Sequence, residues 1–178
     1  MNESDNVARY ASSWVFPFLQ SQLPDGYIVR PVPENIQTQH RFGDNWLASF
    51  KHQNAIEVEL KSESKHTGNL FIETWSDIRN GVHGWLYHYA DETRLAYAFN
   101  DTHTLYTCEM GELRKWAHGE GLDSTIRIKD FREAEQQKYL QRNVTVGGIV
   151  PVEVFLREVP SARVHECKEA TDGTHAIS

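Results

Sequence analysis

A chain of 178 residues with 39% hydrophobic content is long enough to bury one core, and no run approaches the 18 uninterrupted apolar residues of a membrane span. A net charge of −7 excludes a protein that grips nucleic acid over its whole surface, because such binding depends on neutralising phosphates. Two cysteines, Cys108 and Cys167, make no disulfide framework, and the acidic, polar start MNESDNVARY lacks the pattern of an export signal, so a cytoplasmic protein with free thiols is expected.

Residues 5–23 place Val7, Tyr10, Trp14, Phe18 and Leu19 at helical spacing, with Pro17 as an expected kink. The turn chemistry of PDG at 24–26 precedes YIVRPV, a short extended piece whose pairing Pro31 limits. A strand starting near Asp44, a polar turn at 51–54 and a second strand over 55–61 predict a hairpin. TGNLFIETW supplies a third strand, residues 84–89 start a more amphipathic stretch, and TRLAYAFNDTHTLYTCEM alternates as two more strands around an NDT turn. In EMGELRKWAHG, Leu113, Trp116 and Ala117 are spaced for a short helix that Gly119 closes. A further helix is expected within KDFREAEQQKYLQ. VTVGGIVPVEVFLREV then reads as a glycine-broken strand followed by a segment from Pro151, a residue suited to a first helical turn. Residues 165–178 lack periodicity and read as a loose tail. The expected fold is α/β: one domain over residues 1–164, built on a central mixed β-sheet flanked by helices.

The strand AIEVELK raises the question of function. A period of two sends Ile56, Val58 and Leu60 to one face and Glu57, Glu59 and Lys61 to the other. Gathering these charges costs free energy unless something offsets it. On an edge strand the offset is solvent, with a Glu59–Lys61 pair contributing under about 1 kcal/mol. The sharper reading is a divalent cation held by carboxylates, with the lysine beside an attacking water. Asp44, at the start of the paired strand, would be the second acid, since hairpin partners lie about 5 Å apart.

Asp44 followed by Glu59-Leu60-Lys61 resembles the D…(D/E)-x-K signature of the PD-(D/E)XK, or restriction-endonuclease-like, nucleases. QHRFGD resembles the approach to the first acid in small phage and plasmid members, and VELKSE…TGNLFIE resembles their central block; GWLYHYAD, LYTCEMGELRKWA and YLQRNVTVGGIVPV extend the likeness over residues 37–152. The chain departs in having Glu63 where an aspartate is common, Gly43 directly before Asp44, and no helix-borne glutamate upstream, Glu34 lying in a proline-rich stretch. The resemblance implies a Mg²⁺- or Mn²⁺-dependent phosphodiesterase acting on DNA. Asp44 and Glu59 would be metal ligands, the Leu60 carbonyl a backbone ligand, and Lys61 the group that orients water or stabilises developing charge. Cutting both strands with one small active site would need a homodimer or two binding events. The competing reading is a domain of the same fold that binds nucleic acid or a protein without cutting.

Three further residues are candidates beside these. Glu73 could line the same cleft or end its strand in solvent, and Gln39 could position the first acid or simply be hydrated. Glu57 has the right face but reads as a supporting or solvated group. The spacing of His83, His88, His103 and Cys108 matches no zinc pattern, Cys108 sits in an apolar strand where a thiol is inert, and neither G-x-S-x-G nor a phosphate-binding loop occurs.

Overall fold

The strand that carries the charges lies inside a sheet and not at its edge. A computed structural model describes residues 3–23, 28–31, 46–51, 54–119, 126–137 and 144–167. Helix α1 (Glu3–Ser21) is followed by β1 (Ile28–Pro31), β2 (Trp46–Lys51), β3 (Asn54–Glu63), β4 (Asn69–Asp77) and β5 (Val82–His83). Next come β6 (Arg94–Phe99), β7 (Thr104–Glu109), α2 (Met110–His118), β8 (Glu133–Gln137), β9 (Val144–Pro151), α3 (Val152–Glu158) and β10 (Arg163–Glu166). Short 3₁₀ turns cover Ile78–Asn80, Trp85–Tyr87 and Ile128–Asp130. The fold is α/β with two sheets. One is mixed, in the order β1-β2-β3-β6-β7-β10, and the other is antiparallel, in the order β5-β4-β9-β8.

The expected hairpin forms: β2 and β3 pair antiparallel from Trp46↔Glu59 to Lys51↔Asn54. On its other edge β3 pairs in parallel with β6, from Val58↔Arg94 to Glu63↔Phe99. A parallel pair needs a long crossover. Here the crossover is an excursion through β4 and β5 of the second sheet. The TGNLFIETW strand therefore belongs to that sheet and extends no hairpin of the first.

Alternation in β6 and β7 decides the layers. Ala96, Ala98 and Leu105 point, with Leu60, toward Ala11 and Val15 of α1, one turn apart on the helix and fully buried. Leu95, Tyr97, Phe99, Tyr106 and Cys108 point the opposite way, into a larger core with Leu70, Ile72, Trp116 and Phe155. Each fully buried large side chain contributes roughly 1.5–3 kcal/mol there. The buried stripe of α1 runs through Ala11 and Val15, so Tyr10 is 48% exposed, where its sequence spacing had put it among the apolar set. Pro17 sits inside the helix, which continues to Ser21. Trp14 Nε1 donates to Asn100 Oδ1 at 3.0 Å and Asn100 Nδ2 to the Val7 carbonyl at 3.0 Å, tying α1 to the β6–β7 turn.

Three expectations are corrected. KDFREAEQQKYLQ forms no helix among its described residues: a 3₁₀ turn leads into β8, which pairs with β9 through Glu133↔Gly148 and Ala134↔Gly147. Its helix-favouring residues are overridden by an open pairing edge on β9, and their charges suit the edge strand they become. The single-sheet architecture is corrected too, since the second sheet, with α2 and α3, covers the face away from α1. Finally, the start of the expected tail is ordered: His165 and Glu166 end β10, which extends the mixed sheet alongside β7, and the Cys167 amide donates to the His103 carbonyl at 2.8 Å, while residues 168–178 lie outside the described residues. Among the described residues, no helix is long and apolar enough to cross a membrane.

Candidate active site

The alternation of β3 carries Val58 and Leu60 to the α1 side and Glu57, Glu59, Lys61 and Glu63 toward the second sheet. Being flanked by β2 and β6, the strand cannot offer Glu59 to solvent: the residue is 2% exposed. The solvated-edge reading therefore fails for this carboxylate. Lys61 Nζ lies 2.6 Å from Glu59 Oε1, the two side chains being 31% and 1% exposed. The lysine head also sits 5.9 Å from the centre of the Trp85 ring, within range of a cation–π attraction.

Burial raises the Glu59 pKa above the usual carboxylate value, outweighing Lys61 and the Tyr89 hydroxyl, which both favour the charged form; the nearby charge of Glu73 raises it further. Glu59 Oε2 is buried with no hydrogen-bond partner among the described residues. An acceptor left in that condition costs stability. Stability alone does not account for such a group, and cost of this kind gathers at functional sites.

The neighbours arrive from the crossover. Glu73 lies on β4 immediately before a shift in register, pairing with Gly147 while Trp75 pairs with Val146. Such bulges re-aim side chains. Its Oε1 accepts from the Trp85 amide at 3.3 Å, so the start of the 3₁₀ turn holds the carboxylate. Tyr89 is 7% exposed, and burial together with the charges of Glu59, Glu57 and Glu73 holds its phenol far above the ordinary range. Glu57 Oε2 accepts from Thr93 Oγ1 at 3.3 Å. Farther along the same face, Tyr97 donates its hydroxyl proton to Glu63 Oε1, and burial raises the Glu63 pKa.

The structure thus brings Glu57, Glu59, Lys61 and Glu73 to one place. Leu60 sends its side chain to the α1 face, 1% exposed, which leaves only its backbone for a ligand role. Asp44 and Gln39 lie outside the described residues; Asp44 stands two residues before Trp46, which pairs with Glu59. The sequence reading missed Tyr89, Trp85 and Thr93 as parts of the site. The only signal for Trp85 and Tyr89 was the aromatic stretch GWLYHY between two strands, whose rings read equally well as core, and Thr93 carried none.

The donor set is all oxygen, with one buried acceptor unsatisfied and further negative charge beside it, and this suits a hard divalent cation. Among the described residues no three His, Cys, Asp or Glu groups converge into a complete cation site, so such an ion needs a donor from beyond them. Comparison with models of known families, with curated proteins and with solved structures finds no match to this chain.

Proposed function

We propose that the protein is a Mg²⁺- or Mn²⁺-dependent endonuclease of restriction-endonuclease-like fold that hydrolyses DNA phosphodiester bonds in the cytoplasm. The observation that carries the reading is the buried Glu59 on an interior strand, ion-paired through Oε1 to Lys61 and with Oε2 unsatisfied among the described residues. Buried free thiols at Cys108 and Cys167 suit a reducing compartment.

Glu59 and Asp44 would hold the cation, with the Leu60 carbonyl as a third donor. When bound, the ion polarises a phosphoryl oxygen and acidifies water. The chain's own part follows from its charges. Hydrolysis joins a water oxygen to phosphorus and breaks a P–O ester bond, so negative charge grows on the phosphoryl oxygens. The Lys61 ammonium, 31% exposed at the edge of the buried carboxylate, donates hydrogen bonds to the water or to those oxygens. Tyr89 and Lys61 together hold the Glu59 carboxyl, while the Trp85 ring stands 5.9 Å from the lysine head. Cutting both strands requires two copies or two encounters.

The test is incubation of plasmid DNA with the purified protein and Mg²⁺ or Mn²⁺. Cleavage that EDTA and Glu59→Gln each abolish is expected. A protein that binds DNA but never cuts it under any of these conditions belongs instead to the non-catalytic alternative.

A further inference from the structure

Beside the charged cluster runs a row of aromatic rings, one of them also packed against the core, that the proposed hydrolysis does not use. Trp75, two residues beyond Glu73 on β4, stacks on its cross-strand partner His83 with centroids 4.6 Å apart and planes 21° from parallel. His83 meets Tyr87 at 5.3 Å, and Tyr87 meets His118 of α2 at 5.4 Å. His83 and His118 are exposed and the other two half-buried, so the row lies at the surface.

Rings on a surface usually sit on mobile side chains, but here the backbone beneath them is fixed. His88 Nε2 donates to the His83 carbonyl. Arg114 of α2 donates from Nε to the Leu86 carbonyl at 3.0 Å and from Nη2 to the Tyr89 carbonyl at 2.6 Å, pinning the turn that carries Tyr87. The guanidinium is also ion-paired through Nη1 with Asp91, so the cation beside the row is Lys115, exposed and three residues before His118 on the same side of α2. The row is continuous with the site: Glu73 precedes Trp75 on one strand, and Gly84 and Trp85 directly follow His83 on the next.

A fixed aromatic row with a lysine at one end is an arrangement that can stack unpaired bases, because every base has a π-face and its phosphate needs a cation. An intact duplex offers no free base faces to such a row. We infer that Trp75, His83, Tyr87 and His118 form a stacking surface for unpaired nucleobases, so that the substrate is single-stranded or locally unpaired DNA and not uninterrupted duplex. The inference rests on the nuclease reading for its substrate but not for the binding itself.

The experiment measures binding in EDTA, where no cutting occurs, by fluorescence anisotropy of a labelled oligothymidine of about a dozen nucleotides, within the usual site sizes. A blunt duplex of equal length is measured beside it. The wild-type protein should prefer the single strand. His83→Ala and Tyr87→Ala should each weaken single-strand binding on the order of tenfold and leave duplex binding unchanged, while Tyr87→Phe keeps wild-type affinity. Because Tyr87 also packs against the core, exposed His83 is the variant that cannot be confounded with folding. Equal affinity for both forms, no loss in His83→Ala, or a loss in Tyr87→Phe as large as in Tyr87→Ala would each overturn the inference. So would a protein that binds neither nucleic acid. Ring-dependent binding by a wild-type protein that never cleaves would refute the nuclease reading and uphold this one.

Discussion

Gly84 packs directly on Glu73: a Cβ at position 84 would lie 2.5 Å from the Glu73 carbonyl oxygen and 2.8 Å from its Cγ. The Gly84 amide donates to the Thr74 carbonyl at 2.8 Å, so the two strands are held at this spacing. Gly84→Ala must push the strands apart or displace the carboxylate. Overpacking of this kind costs about 1–3 kcal/mol, and for a chain of this size that is roughly 2–10 °C in thermal midpoint. Cleavage should fall in Gly84→Ala at temperatures well below its midpoint, because Glu73 moves. A melt paired with an activity assay checks both.

Glu59 and Lys61 should respond asymmetrically. Glu59→Gln removes a buried charge and leaves the lysine to turn toward water, so the midpoint should hold or rise while cleavage drops at least 100-fold, the order expected for loss of a transition-state contact. Lys61→Ala also abolishes cleavage but strands the carboxylate. The Glu59 pKa is already raised in the fold, and loss of the lysine raises it further. A carboxyl with a raised folded pKa contributes stability that is full below its unfolded pKa and lost as pH rises through the folded one. Lys61→Ala should therefore be most destabilised at neutral and alkaline pH and recover toward pH 4.5. The penalty grows by about 1.4 kcal/mol per pH unit above the unfolded pKa and levels off above the folded one, since protonation offers an escape until then. Melting curves across pH would show it, and a deficit independent of pH would contradict it.

Asp77 works in the opposite sense. It is 3% exposed, and hydrogen bonds from the Asn80 side chain and the Arg79 amide hold its pKa below the usual value. A carboxyl lowered in this way contributes stability above its unfolded pKa and loses it as pH falls through the folded one. Asp77→Asn should flatten the acid limb of the stability profile below about pH 4. An unchanged acid limb would mean that other carboxylates dominate it.

Both thiols should resist modification in the native state. Burial pushes the Cys108 thiol far above its ordinary pKa and raises that of Cys167 to about 11. Because the thiolate is the nucleophile, iodoacetamide at pH 8 should label neither until denaturant is added. Rapid native labelling of Cys167 would show that the 163–166 strand opens.

Some of this was legible in the sequence and some was not. The β2–β3 and β6–β7 hairpins were readable because period-two alternation and turn residues are local signals. Likewise α2 announced itself through Leu113, Trp116 and the left-handed Gly119 that closes it, at φ 73°. The strand over Glu133–Gln137 was hidden because its residues favour helix and only the glycine-bearing edge of β9 makes it extended. Burial of Glu59 was equally hidden: it depends on β6, a parallel partner more than 30 residues downstream, which no periodicity within β3 announces. Glu59 and Lys61 could be singled out from their spacing and resemblance, whereas Tyr89 and Trp85 carry no chemical signature until the crossover folds them onto the carboxyl.

That crossover has one more consequence. The side chains that make up the charged cluster and hold it, Glu57, Glu59, Lys61, Glu73, Trp85, Tyr89 and Thr93, with Gly84 against Glu73, come from one unbroken stretch, residues 57–93. A single loop closure, the docking of β6 on β3, gathers them, and chain entropy for such a closure grows only slowly with its length. The described part of the site is in effect a self-contained insertion between two neighbouring strands. New termini opened at the exposed turn of Asp101 and Thr102 would leave it whole, while a break at Gly81 would divide it.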